Sequence, residues 1–244
     1  FVRHQANTRR NQTTFAINHA ATALLVKRRF PDAPMAWLLV SVQLMEFIWV
    51  LLNLVGVERT TTNATVRSVS DIQLAFMPYS HSVATMLGVA LAAYLLLRFG
   101  YQRPTLALAG AIGIASHLVL DFITHAPDLP LAPGLEAPKL GLGLYGALPS
   151  GAFVLELLYG ILCWWIYRGG RALLVVILGF NVANLSMLSP AVPGLERLLA
   201  NHPTIIALVI LLQIVVTLAL VGWYSQHPRP PWLTTALSMA QTRT

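Results

Sequence analysis

Six long apolar stretches, at about 35–55, 77–97, 105–123, 147–167, 172–189 and 204–224, constrain this chain more than any other feature of its sequence. At 1.5 Å of rise per residue, each is roughly long enough to cross about 30 Å of hydrocarbon as a helix. Apolar residues make up 56% of the chain and charged residues only 10%, where a soluble domain carries roughly 25% charged. So few charges cannot cover a water-facing surface, and the excess apolar area calls for lipid. The expectation is an all-α fold, a polytopic integral membrane helical bundle with about six transmembrane helices. Pro34, Pro104 and Pro203 stand just before three of the stretches, where the missing N–H costs a helix nothing. A further apolar run, 13–26, ends in Lys27-Arg28-Arg29. At about 14 residues it is too short to span, and reads as an interfacial or re-entrant helix. Residues 1–30 then form a basic N-terminal segment with a short helix, 31–224 the transmembrane domain, and 225–244 a peripheral C-terminal tail.

The net charge of +7 is spread in short clusters between apolar stretches rather than in one stripe. That pattern sets membrane orientation, and no nucleic-acid partner is expected. With six spans, Lys27–Arg29, Arg98/Arg103, Arg168/Arg171 and Arg229/Arg243 all fall on one side. The loops holding Glu58/Asp71, Asp128/Glu136 and Glu196 fall on the other. Both termini are thus expected on the positive, cytoplasmic or matrix, side. The first 31 residues carry six basic residues and no acid, the texture of an organelle-targeting remnant. This points to the mitochondrial inner membrane, with a bacterial inner membrane and an ordinary basic flank as the alternative. The single cysteine, Cys163, lies in an apolar run and reads as a small buried hydrophobe, which leaves neither a disulfide framework nor a thiolate metal site.

Ionisable residues inside spans cost about 2.5–3.5 kcal/mol each at mid-helix on insertion scales, so they mark function or helix pairing. Glu46, Asp121 and Glu156 lie within the stretches, and His81, His117 and His125 in them or at their ends. All approach the less basic face at similar depth. The central motif is Ser116-His117-x3-Asp121-x3-His125-Ala-Pro-Asp128. Spacing of four places His117, Asp121 and His125 within about 80° of one helix face. The outer two are about 12 Å apart along the axis, so a single ion takes two of the three, joined by His81, Glu46 or Asp128; two ions are the alternative. Imidazole with carboxylate suits a divalent metal, zinc first, with manganese or iron as alternatives. Asp128, beyond the helix-ending Ala126-Pro127, is free to act as base, to ligate, or to orient a histidine; Glu46 is the other candidate base. Read without a metal, the same residues pair helices through hydrogen bonds. His19 joins the site if the short run is re-entrant and is remote if it lies flat. Tyr79 and Ser80, just before His81, are candidate donors to an anionic substrate. His4, His202 and His227 read as solvated. Gly141-Leu-Gly143-Leu-Tyr-Gly146 matches a dinucleotide-binding pattern only literally, because no βαβ unit surrounds it.

Several blocks occur in one order: Asn18-His19-Ala, Lys27-Arg28-Arg29-Phe-Pro, Gln43-Leu-Met-Glu46, Gly56-Val-Glu58-Arg, Pro78-Tyr-Ser-His81-Ser, the His117–Asp128 motif and Pro138-Lys-x-Gly-Leu-Gly. Together they resemble the bacterial YdjM-like family of predicted membrane-bound metal-dependent hydrolases, over roughly residues 15–168. The resemblance implies that His19, Glu58, His81, His117, Asp121, His125 and Asp128 are the polar positions of a metal site. It departs at Glu46, where the family pattern usually has Asp; the extra methylene moves the carboxylate by over an ångström.

Three functions compete on this sequence. One is an intramembrane metal-dependent hydrolase acting on a lipid or phospholipid. Another is a non-catalytic accessory subunit of a large mitochondrial inner-membrane complex, a respiratory one among the candidates, that retains a hydrolase-derived fold; its other subunits would be partners alongside membrane lipids. The third, an ion-conducting transporter, ranks last because no repeat symmetry is visible.

Overall fold

The computed structural model describes residues 15–66, 71–189, 191–192, 194 and 198–226. The apolar stretches form helices because, away from water, a backbone satisfies its own N–H and C=O groups most simply by helical bonds within one segment. In chain order these are α1 (Ala16–Arg29), α2 (Met35–Leu54), α3 (Val83–Leu95) with a π-helical turn at Leu96–Gly100, α4 (Pro104–Thr124), the one-turn α5 (Leu144–Ala147), α6 (Pro149–Tyr167), α7 (Arg171–Ala183), the one-turn α8 (Leu185–Leu188) and α9 (Pro203–Ser225). Pro104, Pro149 and Pro203 each open a helix.

Among the described residues, five helices are long and apolar enough to cross a membrane: α2, α3 with its π turn, α4, α6 and α9. Their outer faces carry exposed apolar stripes, such as Leu87, Leu91 and Leu95 on α3 and Leu208, Leu212 and Val216 on α9. Such a surface suits hydrocarbon, and the structure is compatible with an integral membrane protein. The expected span at 172–189 is not one helix. α7 stops after 13 residues at Ala183, and Asn184 intervenes before α8. The side-chain amide of Asn184 donates to the Phe180 carbonyl at 2.7 Å, and its Oδ1 accepts from Gln213 of α9 at 2.9 Å.

The fold also departs from all-α. The loop after α2 contains an antiparallel hairpin, β1 (Arg59–Thr62) and β2 (Ile72–Phe76), paired Arg59 to Phe76 and Thr62 to Ile72. Thr60–Thr62 is a β-branched run, which fits a pleated strand better than a helix.

The short N-terminal run is a helix, but it does not lie on the surface. α1 packs against α2, α4, α6, α7 and α9, and residues 17–24 are buried throughout. Lys27 holds the turn into α2 by donating to the carbonyls of Pro31 and Ala33. Gln43, midway along α2, donates to the Ala16 carbonyl at 2.8 Å. α1 therefore starts inside the bundle, level with the middle of α2. α1 thus lies among the other helices rather than on their outer surface. The C-terminal tail from 227, with His227, and the N-terminal residues 1–14, with His4, lie outside the described residues.

Candidate metal centre

α2 and α4 approach closely where Gly113 faces Ser41: a Cβ on Gly113 would lie 2.1 Å from Ser41 Oγ. One turn later, His117 reaches across this contact, and its Nδ1 lies 3.0 Å from the Val42 carbonyl oxygen. A carbonyl only accepts, so Nδ1 carries the proton and Nε2 presents a lone pair.

His81, at the start of the apolar stretch 77–97, precedes α3 rather than lying on it. It lies in the turn before the helix, whose N-cap is Ser82. Its Nδ1 is 2.7 Å from Ser80 Oγ, and Ser80 Oγ donates to Glu58 Oε2 at 2.5 Å. Having spent its proton on Glu58, the serine accepts from His81 Nδ1–H, and the His81 Nε2 lone pair is again free to point inward. The other Glu58 oxygen accepts from the backbone N–H groups of Tyr79 and Ser80, at 2.8 and 2.9 Å. Glu58 is thus committed to the Pro78–His81 turn and stands behind His81 rather than in the ring of ligand atoms. The β1–β2 hairpin, which joins Glu58 to this turn, keeps the two within reach. Ser80, buried and engaged with Glu58, is not placed to meet a substrate; Tyr79 is exposed.

α4 ends at Thr124, and His125 adopts extended backbone, φ −63° and ψ 143°. Although it leaves the helix, His125 keeps the i, i+4 neighbourhood of Asp121, with Nε2 3.9 Å from Oδ1, and its ring centroid lies 6.0 Å from that of His81. His125 Nδ1 lies 3.1 Å from Asp128 Oδ1, so the carboxylate accepts its proton and Nε2 is left with a lone pair. Asp128 thereby takes the orienting role. The following loop is pinned under the helix end: Leu142 N–H donates to the Phe122 carbonyl and Gly143 N–H to the His125 carbonyl. The same loop supplies the Pro130 and Leu131 carbonyls to the first N–H groups of α3, which ties the His81 turn to the Asp128 turn.

His19 comes from α1. Its ring stacks on His117 with centroids 4.0 Å apart and planes 15° from parallel. Neither of its nitrogens has a hydrogen-bond partner.

These side chains converge on Asp121. His117 Nε2 is 3.1 Å and His81 Nε2 3.6 Å from Asp121 Oδ2, while His19 Nε2 is 3.5 Å and His125 Nε2 3.9 Å from Oδ1. Glu46 Oε1 lies 3.7 Å from His81 Nε2 and 3.8 Å from His117 Nε2. All six side chains are at most 5% exposed, which places the ring out of contact with bulk water. Two triads bring their ligand atoms within 4.8 Å of one another: His19, His117 and Asp121, and Glu46, His81 and His117. The separations are long for hydrogen bonds. They bracket the spacing of about 3.4 Å between donors that share a tetrahedral ion at bonds of ~2.1 Å.

Glu156 does not join this ring, although its depth in the sequence suggested it would. It lies on the far side of α1, where Tyr145 donates to one carboxylate oxygen and Asn18 to the other. His202 is exposed at the start of α9, and Cys163 is buried and free. The Ser80–Glu58 pair and the Val42 carbonyl were not singled out as orienting groups from the sequence. Serine next to histidine was the only signal for the first, and a backbone carbonyl leaves none. Compared with family models, characterised proteins and solved structures, the chain matches none.

Proposed function

We propose that this chain is an integral membrane protein that holds a divalent metal ion in the buried ring of His19, Glu46, His81, His117, Asp121 and His125, and that it acts as a metal-dependent hydrolase on a lipid or phospholipid. One observation carries the metal. Three imidazoles have Nδ1 bound to acceptors, so in neutral form each turns an Nε2 lone pair toward carboxylates that can only accept. Lone pairs facing carboxylates across 3.1–3.9 Å repel unless positive charge lies between them. Protons on Nε2 could supply it, but the His19 and His117 rings stacked 4.0 Å apart would then repel as like charges, which one shared divalent ion avoids. Orientation of Nε2 by acceptors behind Nδ1 is also the usual outer-shell arrangement of metal-ligating histidines. The donor set of imidazole and carboxylate fits zinc best, and manganese or iron next.

When bound, such an ion supplies Lewis acidity, polarising a phosphoryl or carbonyl oxygen and activating water. The chain's own residues set the rest. Val42, Ser80 and Asp128 hold the imidazoles in one tautomer. Glu46, with its Oε2 unpartnered and buried, is the carboxylate best placed to take a proton from water. This assignment revises the pair Asp128 and Glu46 in favour of Glu46, because Asp128 is engaged with His125. The resemblance to the YdjM-like hydrolases supports the reaction class. The basic clusters support a topology with both termini on the positive side and a sixth crossing by α7 together with α8.

The test is metal content of protein purified from its own membranes, beside Asp121→Ala. About one zinc, manganese or iron per chain, lost in the variant, is the expected result; no metal in either chain sinks the proposal. For the hydrolase step, His117→Ala should abolish cleavage of the lipid substrate, and unchanged turnover would refute it.

The depth of burial favours a second reading, an accessory subunit whose ion is structural. With every ring side chain at most 5% exposed, substrate has no evident open approach among the described residues. Co-migration with a megadalton assembly on a native gel supports that reading, and a solitary chain in mild detergent opposes it.

A further inference from the structure

Glu156 is a carboxylate at mid-helix in a span, a costly placement that the ring does not use. Its carboxylate is met by polar groups of α1 and α5. Asn18 Nδ2 donates to a Glu156 carboxylate oxygen, to the Glu156 backbone carbonyl at 3.1 Å and to Asn181 Oδ1 of α7 at 3.2 Å. Tyr145, in α5, donates to the other carboxylate oxygen. Burial first, and then the adjoining Glu156, hold the Tyr145 hydroxyl well above its ordinary range, so it remains a donor. Asn181 is itself fixed, donating to the Ile177 carbonyl at 2.9 Å. Gly160 makes room for the cluster, because a Cβ there would come within 2.9 Å of Asn18 Oδ1 and 2.7 Å of Ile177 Cγ2. One turn along α1, the Thr22 hydroxyl lies 2.7 Å from Tyr159 OH of α6.

His19 is the residue next to Asn18, and consecutive helical side chains diverge by about 100°. Asn18 therefore faces α6 and α7 while His19 faces α2 and α4. The other three histidines of the ring have an acceptor behind Nδ1; His19 has none. Its place depends on α1 itself, and α1 is keyed to the bundle by Asn18.

We infer that Glu156 and Tyr145 are positioning residues that, through Asn18, lock the register and rotation of α1 and so deliver His19 to the metal ring as a ligand. This rests on the metal reading above and specifies how one ligand is supplied. α1 is in effect a ligand-carrying plug held by a hydrogen-bonded latch on the side away from the ion.

The experiment uses cobalt(II) in the full chain, because the intensity and position of its visible bands report coordination number. The parent is compared with His19→Ala, Asn18→Ala, Glu156→Leu, Tyr145→Phe and the double variant His19→Ala/Glu156→Leu. Removing an outer-shell partner typically weakens metal binding by about 10–100-fold. Asn18→Ala and Glu156→Leu should show a loss in that range together with the band change of His19→Ala. Tyr145→Phe, which deletes only a hydroxyl and so spares packing, should move the same way by less. The double variant should bind no more weakly than His19→Ala alone, since residues acting through one contact are not additive. Parental bands in Tyr145→Phe and Glu156→Leu overturn the inference, as does a double variant whose losses multiply. Absence of cobalt bands from the parent overturns the metal reading and the inference together, an outcome distinct from the first two.

Discussion

Asp121→Asn separates the metal reading from the hydrogen-bonded one by whether its effect depends on added metal. Asp121 touches four imidazoles, with Nε2 distances of 3.1, 3.5, 3.6 and 3.9 Å. Asparagine has the same shape but replaces one oxygen by an NH2 group, which cannot ligate a metal, and removes the negative charge. Loss of an outer-shell partner already costs about 10–100-fold in metal affinity, so loss of this inner carboxylate should cost at least about 100-fold, or ~2.7 kcal/mol. Metal present at about 100 times its Kd stabilises the folded chain by ~2.7 kcal/mol, and nearly all of this disappears in the variant. For chains of this length, 1 kcal/mol moves Tm by roughly 2–4 °C, which gives a fall of about 5–11 °C. Without a metal, protons on Nε2 hold the imidazoles against the carboxylate, and the variant loses these charged hydrogen bonds, about 1.5–3 kcal/mol each, whether or not metal is added. The assay is thermal unfolding in detergent, with metal added and with a chelator, alongside elemental analysis. A parent indifferent to chelator, with a parent-to-variant difference that added metal does not change, refutes the reasoning.

Ser80→Ala breaks the link between His81 and Glu58 and should weaken zinc binding by about 10–100-fold while leaving its stoichiometry intact, as measured by competition with a chromophoric chelator. Gly113→Ala drives a methyl into Ser41 Oγ at the α2–α4 contact and should cost about 1–3 kcal/mol, read as a lowered Tm and partly relieved by adding Ser41→Gly. Because ligating imidazoles must be unprotonated, zinc affinity should fall as pH is lowered, with protons released on binding at neutral pH; calorimetry in buffers of different ionisation enthalpy checks this. For the proposed topology, Arg103→Cys and Gly134→Cys should react with a membrane-impermeant thiol reagent from opposite sides of sealed vesicles, since the native Cys163 is buried.

Much of the fold was legible because the local sequence carried the deciding forces. Apolar runs of about 20 residues with proline just ahead give helices wherever the backbone must satisfy itself, and α2, α4, α6 and α9 start and stop within about two residues of the expected limits. The split at Asn184 was less visible, because a single amide that bonds to Phe180 and Gln213 outweighs the hydropathy of its neighbours. The β1–β2 hairpin was read as loop, since two short strands gain their stability from pairing rather than from periodicity. At the site, spacing of four identified His117, Asp121 and His125 as neighbours, and intramembrane charge made Glu46 conspicuous. Sequence alone determined that the chain is apolar, helical and supplied with imidazole and carboxylate at one depth, because composition and helical period are local properties. Only the tertiary structure decided which of those groups meet. It placed His125 just past a helix end, set Glu58 behind Ser80, drew His19 in on a buried half-length helix and left Glu156 on the opposite side of it. Each of those outcomes depends on hydrogen bonds and close approaches between residues up to 163 positions apart in sequence, as from Asn18 to Asn181.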